Sequence, residues 1–66
     1  MQMLNTLREA VEAGKRQLDN GQAATVVIMK HTGNGLCLWF PTNPLDAVYH
    51  VADHPCTYEI MAVYSK

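Results

Sequence analysis

The segment Ala24-Thr25-Val26-Val27-Ile28-Met29-Lys30 constrains this chain more than any other. It is rich in β-branched residues and apolar at both alternating positions, so as a strand it turns hydrophobic side chains to both sides of a sheet. Such a strand belongs in the middle, with a neighbour on each edge. Thr32-Gly33-Asn34-Gly35 follows at once. Asn-Gly between apolar runs is a strong hairpin signal, because the favoured tight turn needs positive φ at both central residues. Leu36 to Phe40 then reads as the antiparallel return strand, ended by Pro41.

Helical spacing brackets this hairpin. Leu4, Leu7, Val11, Gly14 and Leu18 recur at three- and four-residue steps, with Met3 and Ala10 widening the stripe. Arg8, Glu12, Lys15, Arg16 and Asp19 occupy the other side. Thr6 and Glu9 have capping-box spacing, yet the stripe begins before them, and the spacing predicts a helix from Met3 to Asp19 stopped by Asn20-Gly21. Gly14 on the apolar side predicts close approach to the sheet. Downstream, Asn43 can cap a second helix, Pro44 suits its first position and Asp46 opposes its N-terminal dipole. Leu45, Val48, Tyr49 and Ala52 form its apolar stripe, and Pro55 keeps it short. Thr57 to Tyr64 reads as a last strand, alternating Tyr58, Ile60, Ala62 and Tyr64 against Thr57, Glu59, Met61 and Val63.

The order is α-β-β-α-β. A right-handed crossover through the second helix returns the third strand parallel to the second. Landing beside the first strand gives the order 2-1-3 with every neighbouring pair antiparallel. The expected class is α+β: a three-stranded antiparallel sheet with two helices packed on one face, residues 1–66 forming one small domain. Sixty-six residues leave no room for a cofactor domain beside a substrate domain. A chain this short buries only about 60% of its unfolded surface, so its stability margin is thin and association would relieve it.

Composition narrows the function classes. Five basic against six acidic side chains give a formal net charge of -1, which argues against binding nucleic acid by phosphate neutralisation. Two cysteines, Cys37 and Cys56, are too few for a disulfide scaffold. The apolar runs Val26 to Met29 and Leu36 to Phe40 are far short of a membrane span, and no signal-peptide pattern is visible. A cytoplasmic setting with reduced thiols and no membrane contact is the expectation.

Cys37, His50, His54 and Cys56 make the most suggestive chemical constellation. Cys37, His50 and His54 copy the later part of a Cys2His2 zinc pattern, but Thr32, Gly33 and Asn34 stand where its first cysteine would fall. Cys37 in an apolar strand reads better as core filler, and the histidines as the polar side of a short helix. Cys37 or Cys56 with His31, His50 and Asp53 supplies the residue types of a cysteine hydrolase without a known spacing. Glu59 is an isolated strand carboxylate that suits a salt bridge or edge protection. Gly33-Asn34-Gly35 joins two strands and lacks the lysine of a phosphate loop. Lys30 and His31 beside Trp39 and Phe40 lack the aromatic signature of an RNA-binding sheet. The reading is of a non-enzyme with no catalytic, cofactor-binding or metal-binding residue and no cofactor.

Two helices on one face would leave the other face of the sheet open, carrying either Val27, Met29 and His31 or Val26, Ile28 and Lys30. Aromatic residues on such a face are interface material, and the candidates for partner binding are Trp39, Phe40, Tyr58 and Tyr64. The expected function is a small protein-binding module acting on a protein partner or on itself as a homodimer. In size and plainness the chain resembles the small accessory proteins of phages and other mobile elements, among them inhibitors of host defence such as anti-CRISPR proteins. That resemblance covers no motif and carries over no residue. The alternatives are a dimer enclosing a small ligand and a small nucleic-acid-associated regulator.

Overall fold

A computed structural model describes residues 3–66. Its elements are α1 (Leu7–Asp19), β1 (Thr25–Gly33), β2 (Leu36–Thr42), α2 (Pro44–Asp53) and β3 (Tyr58–Ser65). The strands form one sheet in the order β2-β1-β3, and β1 pairs antiparallel with both neighbours. The architecture is the α+β arrangement the sequence implies. The most apolar strand is central, and Val26, Val27, Ile28 and Met29 are all buried.

The helices do not share a face, contrary to the sequence reading. Val26 and Ile28 pack with Ala10 and Leu18 of α1, whereas Val27 and Met29 pack with Phe40 and Ala47 of α2. Successive side chains of a strand point to opposite sides, so the two helices cover opposite faces and the sheet lies between them. The cause is the double-sided apolar character of β1. An uncovered face would leave Val27 and Met29 in water, at about 1.5–3 kcal/mol for each large apolar side chain.

The first helix also starts later than the spacing predicts. Thr6 has extended φ and ψ of -134° and 151°, and its Oγ1 accepts from the Glu9 backbone N–H at 3.1 Å. The Thr6 side-chain cap therefore sets the boundary, and the apolar residue ahead of it has another role. Leu4 forms an isolated antiparallel bridge to Trp39, with N–H to carbonyl distances of 2.7 and 2.9 Å in the two directions. Those bonds satisfy Trp39 peptide groups on the outer edge of β2 and lay Leu4 against the α1 core. Pro41 has the same phase as Trp39 along β2, so its missing N–H removes no bond to β1 and the strand runs through it to Thr42.

The turn between β1 and β2 is the two-residue Asn34-Gly35 loop, with φ of 53° and 76°, flanked by the Gly33–Leu36 pair. Positive φ at both positions is what the hairpin reading requires. At the far end of α1, the Gly21 N–H donates to the Leu18 carbonyl and the Gln22 N–H to the Gln17 carbonyl, closing the helix. Asn43 caps α2 by accepting from the Asp46 N–H at 2.8 Å, and Pro44 opens the helix.

Two details escape the alternation rule. The register of β3 on β1 shifts between Ile28 and Met29, leaving Met61 as an extra residue between the Ile60 and Ala62 pairs. Tyr58 and Ile60 therefore share the α2 face with Val63, while Glu59 shares the α1 face with Ala62 and Tyr64. The second detail is the rotation of α2. Ala47 is buried and His50 and Val51 are half-buried against the sheet, whereas Leu45, Val48, Tyr49 and Ala52 face solvent. The stripe expected to be core is the outer surface. Only Asn43 separates β2 from α2, so the connection fixes the helix rotation, and small Ala47 permits the closest approach. No helix among the described residues is long and apolar enough to cross a membrane.

Candidate functional site

The four aromatic candidates are divided by the sheet. Trp39 pairs with Lys30 and packs with the α1 core, as does Tyr64; Phe40 pairs with Met29 and packs with Tyr58 in the α2 core. Phe40 is fully buried and offers no surface to a partner. Trp39 is half-buried and its indole N–H lacks an acceptor among the described residues. Tyr64 is half-buried, with the Lys15 ammonium 5.3 Å from its ring centre. The four do not converge on one surface.

Tyr58 instead gathers all three histidines of the chain. Its ring centre lies 4.8 Å from that of His31 on β1, 4.5 Å from His50 in a stacked arrangement, and 6.0 Å from His54. The Phe40 ring meets His50 and Tyr58 edge-on at 5.7 and 6.1 Å. Spacing puts His50 and His54 on the polar side of a helix; instead His50 lies half-buried on the sheet side of α2, and His54, its exposed C-cap, turns toward the same tyrosine. Aromatic stacking of His50 joins the apolar contact of Val51 in seating the C-terminal half of α2.

The cysteines do not join this cluster. Cys37 pairs with Thr32, on the α1 side of the sheet, while His31, His50 and His54 lie on the α2 side. Cys37 is exposed, one residue pair from the hairpin turn, with its Sγ 3.8 Å from the Thr32 hydroxyl, so it is not the core filler its apolar surroundings imply. Cys56 is an exposed free thiol in the turn before β3. Among the described residues no group of three or more His, Cys, Asp or Glu side chains is placed to hold a metal, and no pocket is enclosed. Glu59 stands opposite Lys30, yet the one ion pair among the described residues is Arg8–Glu12, at 3.5 Å on the exposed side of α1.

Apolar exposure is concentrated on α2 and β3. Leu45, Val48 and Tyr49 are 65%, 60% and 59% exposed. Asp46 and Asp53 border this stripe, and Asp46 is held by the Asn43 amide at 3.0 Å. On β3, Ile60 and Val63 are 46% and 58% exposed beside Met61. Sequence reasoning found the α2 stripe and assigned it the wrong direction. The competing set Ala47, His50, Val51 and His54 has the same helical spacing, and its histidines were the one available signal. Comparison with protein-family models, with curated proteins and with solved structures finds no match to this chain.

Proposed function

We propose that this chain is a non-enzymatic protein-binding module whose contact surface is the outer face of α2. The observation that carries the reading is the exposed Leu45, Val48 and Tyr49 stripe on a capped helix. An amphipathic helix offered in this way suits an apolar groove on a partner. The flanking Asp46 and Asp53 specify a groove with a basic rim, because opposite charge at the rim guides encounter and fixes orientation. Tyr49 is the expected anchor, since a large amphipathic ring buried at an interface centre contributes about 2 kcal/mol or more. In its narrowest form the partner is a component of a host defence complex, blocked by occupation of that groove; the size and plainness of the chain are what support that form.

The test is affinity capture from a lysate of the source cells, run in parallel with the wild type, Val48→Asp and Tyr49→Ala, followed by titration of the purified partner. The expected result is a partner held by the wild type, with affinity reduced at least tenfold, about 1.4 kcal/mol, in both variants and far-ultraviolet circular dichroism unchanged. A partner held equally by all three chains, or none held above the Val48→Asp background, refutes the reading.

A further inference from the structure

The outer edge of β3 carries a self-matching pattern of free backbone groups. Thr57 accepts from the Thr32 N–H at 2.9 Å, and Lys66 donates to the Ala24 carbonyl at 2.9 Å, so both ends of the strand turn these residues' peptide groups toward β1. Alternation inward from each end, interrupted by the bulge, directs Glu59, Met61, Ala62 and Tyr64 to β1 as well. Tyr58, Ile60, Val63 and Ser65 are left facing outward, at intervals of two, three and two residues. No strand covers this edge among the described residues, whereas Leu4 partly covers the edge of β2.

An ordinary strand presents its outward groups at intervals of two and can match only half of this edge. A second copy of β3, run antiparallel, presents the same two-three-two intervals and matches all of it. We propose that β3 pairs antiparallel with β3 of a second copy about a two-fold axis between Met61 and Ala62, joining two three-stranded sheets into one of six strands. This goes beyond the α2 reading and rests on a different element. Ile60 then exchanges backbone bonds with Val63 of the other copy, and Tyr58 with Ser65. The bulge also aligns the faces. Ile60 and Val63 both lie on the α2 side, so their exposed side chains cover each other twice. Glu59 and Tyr64 both lie on the α1 side, which brings the Glu59 carboxylate to the ring over which Lys15 of the other copy sits. Neither Glu59 nor Lys15 is in an ion pair within the described residues, so the pairing is complementary in charge as well as in hydrogen bonding. Such an interface is isologous and closed, and it removes both free β3 edges.

Sedimentation equilibrium of the full chain tests the pairing. The wild type is expected at twice 7.4 kDa at high micromolar concentration. Ile60→Lys places a charge among the paired apolar side chains, and Val63→Pro removes an outward N–H without touching a bond to β1. Each should raise the dissociation constant at least tenfold. Glu59→Lys and Lys15→Glu should each weaken the dimer, and the two together should restore it. A wild type that stays monomeric overturns the proposal. So does a dimer indifferent to Ile60→Lys, or one that Val48→Asp on α2 dissociates instead. If Val63→Pro fails to fold, Ile60→Lys and the charge exchange decide the matter.

Discussion

A methyl group on Gly14 would lie 2.8 Å from Val26 Cγ1 and 3.0 Å from Ile28 Cδ1, with Pro41 Cβ at 3.5 Å. The helix touches the sheet here through Ala10, Ala13 and Gly14, so its backbone comes closer than a larger side chain allows. Gly14→Ala gains about 1 kcal/mol of helix propensity and loses about 1–3 kcal/mol to overpacking against a stiff valine. The expected net effect is a loss of roughly 1 kcal/mol, read from urea unfolding. Adding Val26→Ala, which removes the clashing methyl, should make Gly14→Ala neutral or stabilising in that background; an unchanged penalty would place its cause elsewhere. Gly14 was legible in the sequence because glycine weakens a helix interior, so its place on the apolar stripe signals a contact too close for a Cβ. The aromatic candidates were not legible in the same way. Trp39 and Phe40 are adjacent in a strand, so one had to point to each side, and only the position of α2 decided that Phe40 would be sealed.

At the scale of elements, α2 gives the sharpest test of which residues hold the fold. Val48→Lys and Ala47→Lys insert the same side chain one position apart. Val48 faces solvent and Ala47 is buried against β1, so Val48→Lys should change stability by no more than about 0.5 kcal/mol. Ala47→Lys forces an ammonium between the helix and Phe40 and should abolish the cooperative thermal transition. Periodicity alone expects Val48 to be the sensitive position, and melting curves that rank the two that way would refute the observed rotation. The features visible in the sequence are those with local causes: the Asn34-Gly35 turn, the Asn43 cap and the central place of β1, whereas the Thr6 cap is outweighed there by the apolar stripe ahead of it. The rotation of α2, the opposite-face placement of the helices and the bulge at Met61 depend on what lies across the sheet. A pattern read along the chain does not contain that information.

At the scale of the molecule, the sheet is covered on both faces by helices supplied from only 66 residues. Each covering layer is thin: α1 meets the sheet mainly through small residues, and α2 buries Ala47 and half-buries Val51 while Leu45, Val48 and Tyr49 stay outside. A chain of this size has a small stability margin, and an association that engages the folded form alone adds to it by mass action. Pairing through β3 therefore has a thermal signature. Above the dissociation constant, a hundredfold rise in protein concentration should stabilise a dimer by about 1.4 kcal/mol per chain. At about 4–8 °C per kcal/mol for a domain of this size, the midpoint should rise by roughly 6–11 °C. Ile60→Lys, with its dissociation constant raised at least tenfold, should melt below the wild type at the top of the range and rise less with concentration. Calorimetry at both ends of the range distinguishes the cases. A wild-type midpoint independent of concentration would mean that the two covered faces suffice without a second copy.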